Sequence, residues 1–222
     1  IKNLLLQVKQ KKIDGLNVTV PFKKTVISYL DELSYEAQQT KSVNTIFLDK
    51  NKLIGHNTDI CGFTKAIEKI NYETKGKRIF ILGAGGVVPS IIFALIKMEV
   101  SEIIISNRTK KKAEVLKNQF SNLKVLDWGN IPEFDFIINA TSLGLNNEII
   151  NLDFSSVGRG KLFYDVIYNP RETNFLKEGK RLGNQVENGK FMFIYQAFES
   201  FKLWHGIEPI IDSETIKILN ND

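Results

Sequence analysis

The 222-residue chain is 43% hydrophobic and 25% charged with 15 phenylalanines, which excludes disordered and fibrous classes and leaves one large domain or two modest ones open. A single cysteine, Cys61, rules out an intrachain disulfide, and with His56 and His205 for company it does not supply a zinc site; no metal is expected, and a reducing, cytoplasmic setting fits. The net charge of +5 comes from bases spread along the chain, which argues against nucleic acid and suits an anionic small-molecule substrate and a phosphate-bearing cofactor.

Residues 1–58 read as a helical start, an extended stretch at 16–20, a helix from about 25 to 35, and a hairpin-like pair turning at Asp49-Lys50-Asn51. That is too little core to stand alone. A helix over 60–69 follows, with Asp59 placed to cap it. The middle alternates strand and helix signals: strands at 78–82, 102–106, 124–126, 135–140 and 161–167, helices at 90–98 and 110–119. The apolar run at 91–96 is stopped by Lys97, far short of the ~20 residues that span a bilayer, so no membrane helix is expected. Such alternation implies right-handed crossovers and a mostly parallel sheet, so the fold class is α/β. Residues 59–188 are expected to form a Rossmann-like doubly wound domain. The apolar helix at 191–204 and a last helix at 213–219 are expected to pack back on the N-terminal segment. That would make a smaller, split α/β substrate domain from 1–58 and 189–222, with the cleft beside the nucleotide domain as the default site.

The turn Gly83-Ala84-Gly85-Gly86-Val87 lies between the strand at 78–82 and a helix. Its glycines let backbone approach a pyrophosphate, and the helix N-terminus adds unpaired N–H groups and positive dipole. The third glycine of G-x-G-x-x-G is replaced by Val88, and a tight turn without ligand is the competing reading. At the end of the second strand an NAD enzyme would carry an acid for the ribose hydroxyl. Here the chain has Asn107, Arg108 and Thr109, so a planar fork and two further donors favour the 2'-phosphate of NADP; a solvated charge at a strand end is the alternative.

Three polar clusters stand outside that region: Gly15 through Lys23, Ser42-Val43-Asn44-Thr45, and Gly55-His56-Asn57-Thr58-Asp59. Each places amides, hydroxyls or a carboxylate at the end of a short extended segment, a habit of polyol sites as well as of turns. With these motifs the chain resembles shikimate dehydrogenase over nearly its whole length. Residues 17–23 are similar to that family's N-V-T-x-P-x-K segment, 42–46 to its V-N-T-I segment, and Asn57-Thr58-Asp59 with Gly62-Phe63 to its N-T-D-x-x-G-F segment. Residues 83–87 with Asn107-Arg108-Thr109 match its NADP-phosphate pattern, and 139–144, 165–170 and Gln196-Ala197 match its later loops.

The resemblance implies NADP-dependent, reversible reduction of 3-dehydroshikimate to shikimate on the route to chorismate and aromatic amino acids. It puts Lys23 and Asp59 at the catalytic pair, and Thr19, Asn44, Asp59, Tyr168 and Gln196 at substrate-contacting positions. It puts Val166 and Gly189, besides the glycine turn and residues 107–109, at cofactor-contacting positions. The residue types agree independently of the family: hydride delivered to a ketone leaves negative charge on oxygen, which an ammonium stabilises and protonates. A surface lysine and a plain helix cap are the competing readings for Lys23 and Asp59. The family's Ser-x-Ser segment, which holds the substrate carboxylate, lies upstream of Ile1, so the true start is expected to be missing, leaving poor substrate affinity and an exposed sheet edge. A quinate/shikimate dehydrogenase of dual specificity and a non-catalytic NADP-binding relative are the alternatives; a folate one-carbon dehydrogenase has no reason to carry the N-T-D segment. Monomer and homodimer are both open.

Overall fold

In the computed structural model, which describes residues 1–218, the chain opens with helix α1 (Lys2–Lys9), whose Leu5 and Val8 are buried. Strand β1 (Gly15–Asn17) is shorter than the expected stretch, although the Val18 N–H still donates to the Asn44 carbonyl at 2.7 Å. The expected helix at 25–35 is corrected. Only Thr25–Tyr29 is helical, as one short 3-10 segment, followed by β2 (Glu32–Leu33) and α2 (Tyr35–Thr40). Two causes are visible. The run Thr25-Val26-Ile27 is β-branched and poor in a helix, and Ser34 takes the N-cap of α2, its hydroxyl accepting from the Ala37 N–H at 3.2 Å.

β3 (Thr45–Asp49) and β4 (Lys52–His56) form the expected hairpin, with Asp49 opposite Lys52. Lys50 and Asn51 both have positive φ, 46° and 62°, which gives a two-residue turn whose twist matches the strands. The four strands lie in the order β1-β3-β4-β2, over a core of Leu5, Val8, Val26, Ala37, Val43, Ile46 and Leu53.

Helix α3 (Asp59–Lys69) leads to β5 (Arg78–Leu82), α4 (Val88–Lys97), β6 (Glu102–Ser106), α5 (Lys110–Gln119), β7 (Leu123–Leu126), β8 (Phe136–Asn139) and β9 (Leu162–Asp165). Next come α6 (Asn174–Arg181), β10 (Gln185–Asn188), α7 (Lys190–His205) and α8 (Ser213–Ile218); Leu219 of the expected last helix lies outside the described residues. Strands β5 to β10 make one wholly parallel sheet in the order β10-β9-β8-β5-β6-β7. Counted from β5, that is the doubly wound 3-2-1-4-5-6 order, and it reverses between β5 and β8. The central strands read as unbroken apolar runs because both faces are covered: residues 79–82 and 162–164 are fully buried. Phe163 on β9 is the hub, with its ring 5.2 to 6.1 Å from those of Phe134, Phe154 and Phe175. Gly179 admits α6 to this strand, since a Cβ there would lie 2.6 Å from the Phe163 ring.

The chain divides into two compact units. One comprises Ile1–Glu68, Pro89–Ala94 and the described residues from Met192 onward; the other comprises Lys69–Val88 and Leu95–Phe191. These bounds differ from the expected 1–58, 59–188 and 189–222 at Pro89–Ala94, which belong to the first unit, at residues 189–191, which belong to the second, and at α3, most of which belongs to the first. Its Phe63, Ala66 and Ile67 are buried, and Gly62 lets α7 come so near that a Cβ would stand 2.7 Å from the Met192 carbonyl oxygen. Truncating the hub, Phe163→Ala, should cost about 3 to 5 kcal/mol in urea denaturation, against at most about 0.5 kcal/mol for Val115→Ala on the exposed face of α5.

Candidate active site

The first unit gathers four of the expected site residues. Lys23 follows the extended segment, and its carbonyl accepts from the Val43 N–H at 2.9 Å, which ties it to the strand leading into β3. Its Nζ lies 2.6 Å from Asp59 Oδ2, and the two side chains are 12% and 9% exposed, so the pair is largely withdrawn from water. Asp59 opens α3, where the helix dipole favours a carboxylate, and its N–H donates to Asn57 Oδ1 at 3.2 Å. The second carboxylate oxygen, Oδ1, accepts from Asn44 Nδ2 at 2.9 Å.

Asn44 is the centre of a buried polar network. Its Oδ1 accepts from the Thr58 backbone N–H at 2.7 Å, and its Nδ2 also reaches Thr58 Oγ1 at 2.9 Å and Gln196 Oε1 at 3.5 Å. Beyond it, Thr45 Oγ1 and Ser200 Oγ stand 2.8 Å apart, Thr58 Oγ1 is 3.1 Å from Ser200 Oγ, and Asn17 Nδ2 donates to both Thr45 and Ser200. Ser200 is fully buried on α7 four residues after Gln196, on the same helix face. Sequence reading missed it, although a lone serine at that spacing inside an apolar helix was the available signal. Thr19 is not drawn into this cluster; it is exposed, and its carbonyl accepts from the Phe22 N–H at 2.9 Å. His56, beside Asn57, is no competing acid: burial pushes its imidazole below the ordinary value despite Glu36 and Glu199, so it is neutral at pH 7.

The second unit carries the remaining expected residues at the C-terminal ends of its strands. Gly83 follows β5 with φ +104°, a conformation strained for any side chain, and a Cβ there would lie 2.7 Å from the Ala140 carbonyl oxygen after β8. Ala84, Gly85, Gly86 and Val87 complete the turn into α4, and Gly85 is exposed, with room for a Cβ. The turn thus sits at the switch point of the sheet with open backbone next to a helix start, a fit for a dinucleotide's phosphates. After β6, Asn107 Nδ2 donates to the Thr109 carbonyl at 2.8 Å, closing a short loop on which Arg108 is exposed. A guanidinium and no carboxylate at this strand end suits a phosphorylated ribose. Val166 and Gly189 are in contact, since a Cβ on Gly189 would lie 2.1 Å from the Val166 oxygen. Tyr168, 39% exposed, lies two residues beyond Val166.

Those last positions are held by a carboxylate that residue-by-residue reading gave no role. Asp165, fully buried at the end of β9, accepts from Asn139 Nδ2 at 3.0 and 3.1 Å, from Thr173 Oγ1 at 2.6 Å and from the Ile167 N–H at 3.0 Å. Burial still leaves this carboxyl above its ordinary range, against the pull of the Thr173, Ile167 and Asn139 hydrogen bonds. A raised folded-state value means that its contribution to stability is present below the unfolded value and is lost as pH rises through the folded one.

A parallel 3-2-1-4-5-6 sheet with a glycine turn at its switch point, joined in one chain to a buried lysine–aspartate pair, defines a nucleotide-dependent oxidoreductase. Comparison with known proteins gives the family. The family described as "Shikimate dehydrogenase substrate binding domain" matches residues 1–46, and the one described as "Shikimate / quinate 5-dehydrogenase" matches residues 65–173. A shikimate dehydrogenase (NADP(+)) of Pelagibacter ubique is 52% identical over 221 residues, 99% of this chain and 83% of that protein. The quinate dehydrogenase of Corynebacterium glutamicum, solved with NAD, superposes with a TM-score of 0.89 at 30% identity, covering 99% of this chain and 82% of that one. The shikimate 5-dehydrogenase of Thermus thermophilus, solved with NADP(H) and shikimate, gives 0.88 at 30% identity over the same shares. The chain belongs to the shikimate dehydrogenase family.

Thr173 stabilises the Asp165 carboxylate and also caps α6, its hydroxyl accepting from the Leu176 N–H at 3.4 Å. Thr173→Val should therefore lose about 1.5 to 3 kcal/mol at neutral pH. Because the lost hydrogen bond favours the charged form, the deficit should shrink as pH falls through the raised folded-state value of Asp165, which urea denaturation at pH 7 and pH 4 will measure.

Proposed function

We propose that this chain is an NADP-dependent shikimate dehydrogenase that interconverts 3-dehydroshikimate and shikimate on the way to chorismate and aromatic amino acids. The observation that carries the reading is the Lys23–Asp59 pair at 2.6 Å, shielded from water and braced by Asn44, in a chain of this family. A buried ion pair so braced is costly to keep for stability alone, whereas ketone reduction needs a positioned proton donor.

Bound NADPH supplies the hydride. As the substrate carbonyl carbon is reduced, Lys23 donates a proton from Nζ to the carbonyl oxygen and then regains one from solvent; in the oxidative direction the neutral amine takes the hydroxyl proton. Asp59 fixes the ammonium through Oδ2 and is itself held by Asn44 through Oδ1. Asn44 and Gln196, joined to Asp59 in one network, face the polyol ring, and Thr19 and Tyr168 carry the substrate-contacting roles that the family resemblance implies. Gly83, Ala84, Gly85, Gly86, Val87, Val166 and Gly189 receive the dinucleotide, and Asn107, Arg108 and Thr109 receive its 2'-phosphate. Cys61, half-buried and free, suits a reducing cytoplasm. Among the described residues no helix is long and apolar enough to cross a membrane.

The direct test is reduction of NADP followed at 340 nm with shikimate, with quinate and NAD as parallel arms. Shikimate with NADP should give the highest kcat/KM; turnover of quinate with NAD at an equal rate would establish the dual-specificity reading instead. Lys23→Met should lower kcat by about 100-fold or more in both directions with NADP affinity retained, and a near-normal kcat would assign the proton to another group. Arg108→Ala should weaken NADP binding by about tenfold or more and leave NAD binding within about twofold.

A further inference from the structure

Asn57, the first residue of the Asn57-Thr58-Asp59 segment, is 1% exposed, and its amide is bound on every side. Oδ1 accepts the Asp59 N–H at 3.2 Å and so sets the first turn of α3 from which the catalytic carboxylate projects. Nδ2 faces three acceptors: Thr40 Oγ1 at 3.1 Å, the Ser42 carbonyl at 3.0 Å and Ser90 Oγ at 2.9 Å. Thr40 and Ser42 belong to the end of α2 and the segment after it. Ser90 is different. It is fully buried in the first turn of α4, two residues after Val88, the residue at which the glycine turn becomes helix, and its hydroxyl is also 3.2 Å from Asn57 Oδ1. The Val88 N–H in turn donates to the Gly85 carbonyl at 3.2 Å, so turn and helix start are one hydrogen-bonded piece.

Resting on the NADP reading above, we infer that Ser90 and Asn57 are positioning residues that couple occupancy of the glycine turn to the geometry of Asp59 and Lys23. An anion drawn to the N-terminus of α4 orders its first turn. Ser90 rides on that turn, Asn57 is hydrogen-bonded to Ser90, and the Asp59 backbone is hydrogen-bonded to Asn57. The chain of contacts is short, buried and polar, so a shift at one end is felt at the other. By linkage the coupling is reciprocal: cofactor should tighten substrate, and substrate should tighten cofactor by the same factor.

The proposal has a clean test because Asn57 has more acceptors than protons. Ser90→Ala removes the tie to α4 yet leaves Nδ2 with Thr40 and Ser42, and Oδ1 with the Asp59 N–H, so no buried donor is orphaned. Thr40→Val is the matched control: it removes one acceptor from the same amide and keeps Ser90. Isothermal titration of NADP with and without saturating shikimate, on the full chain, reads the coupling as a ratio of dissociation constants. The wild-type ratio should be about fivefold or more. Ser90→Ala should bring it to near one, lower kcat by about tenfold and weaken NADP at saturating shikimate by the factor of coupling lost, with the Kd for NADP alone within about twofold, while Thr40→Val keeps the wild-type ratio and kcat. A wild-type ratio near one, a Ser90→Ala ratio equal to the wild type, or equal loss in Thr40→Val would each overturn the inference. A wild-type chain that binds NADP but turns over no shikimate would instead overturn the functional reading on which it rests.

Discussion

The polar network of the first unit is arranged around the demands of one buried carboxylate. An ionised Asp59 that is 9% exposed needs a donor for each oxygen, and it has them: the Lys23 ammonium on Oδ2 and the Asn44 amide on Oδ1. Each donor is itself placed by backbone. Lys23 is fixed by the hydrogen bond from Val43, and Asn44 by the bond from Thr58, so the strand segments at 42–45 and 56–58 bring carboxylate, amide and ammonium together from three parts of the chain. The small sheet positions these donors, and its modest core of aliphatic residues is sufficient because it has only short elements to hold.

In the second unit the corresponding constraint is close approach of backbone to backbone. Gly83 beside Ala140 lets the β5 turn lie against the end of β8, and Gly189 lets the segment after β10 lie against Val166. Side chains at either place would push apart loops that follow adjacent strands of the sheet. The parallel order then does the rest: it puts the glycine turn, residues 107–109 and the segment from Val166 to Tyr168 at one edge of the strands, where an extended dinucleotide is normally received. Asp165 holds that edge from within, as a carboxylate surrounded by donors where a hydrophobic residue would leave the Asn139 and Thr173 groups unpaired.

What was legible in the sequence follows from this division of labour. The central strands and the glycine turn are readable because both obey local rules, continuous apolar runs for strands covered on both faces and glycine where backbone must approach closely. The hairpin turn at Lys50-Asn51 was placed for the same reason. Strand β10 was not, because Gln-Val-Glu-Asn at a sheet edge has no apolar period, and α6 was hidden by a polar sequence with Gly179 inside it. The expected helix at 25–35 failed because a cap at Ser34 and the β-branched run outweighed its apolar content. Lys23, Asp59, Asn44 and Gln196 were found through motif resemblance and do converge, but nothing local announces that Ser90 is bound to Asn57 or that Ser200 is bound to Thr45, Thr58 and Asn17, since those contacts join residues 33 to 183 positions apart.

The polar network also explains why amides rather than carboxylates occupy its middle. Its two fixed ends have opposite character: Asp59 can only accept, and the Thr58 backbone N–H can only donate. A group between them must present an acceptor to one and a donor to the other, which an amide does in a single orientation, with Asn44 Oδ1 at 2.7 Å from Thr58 N and Nδ2 at 2.9 Å from Asp59 Oδ1. Flipping that amide would set oxygen against carboxylate and N–H against N–H. The hydroxyls of Thr45, Thr58 and Ser200 can serve either way, and they take up the remaining hydrogen bonds, ending where Ser200 donates to the Gln196 carbonyl at 2.9 Å. The direction of the network is therefore set by backbone and by one charge, and its side chains are presented with their donors and acceptors already assigned.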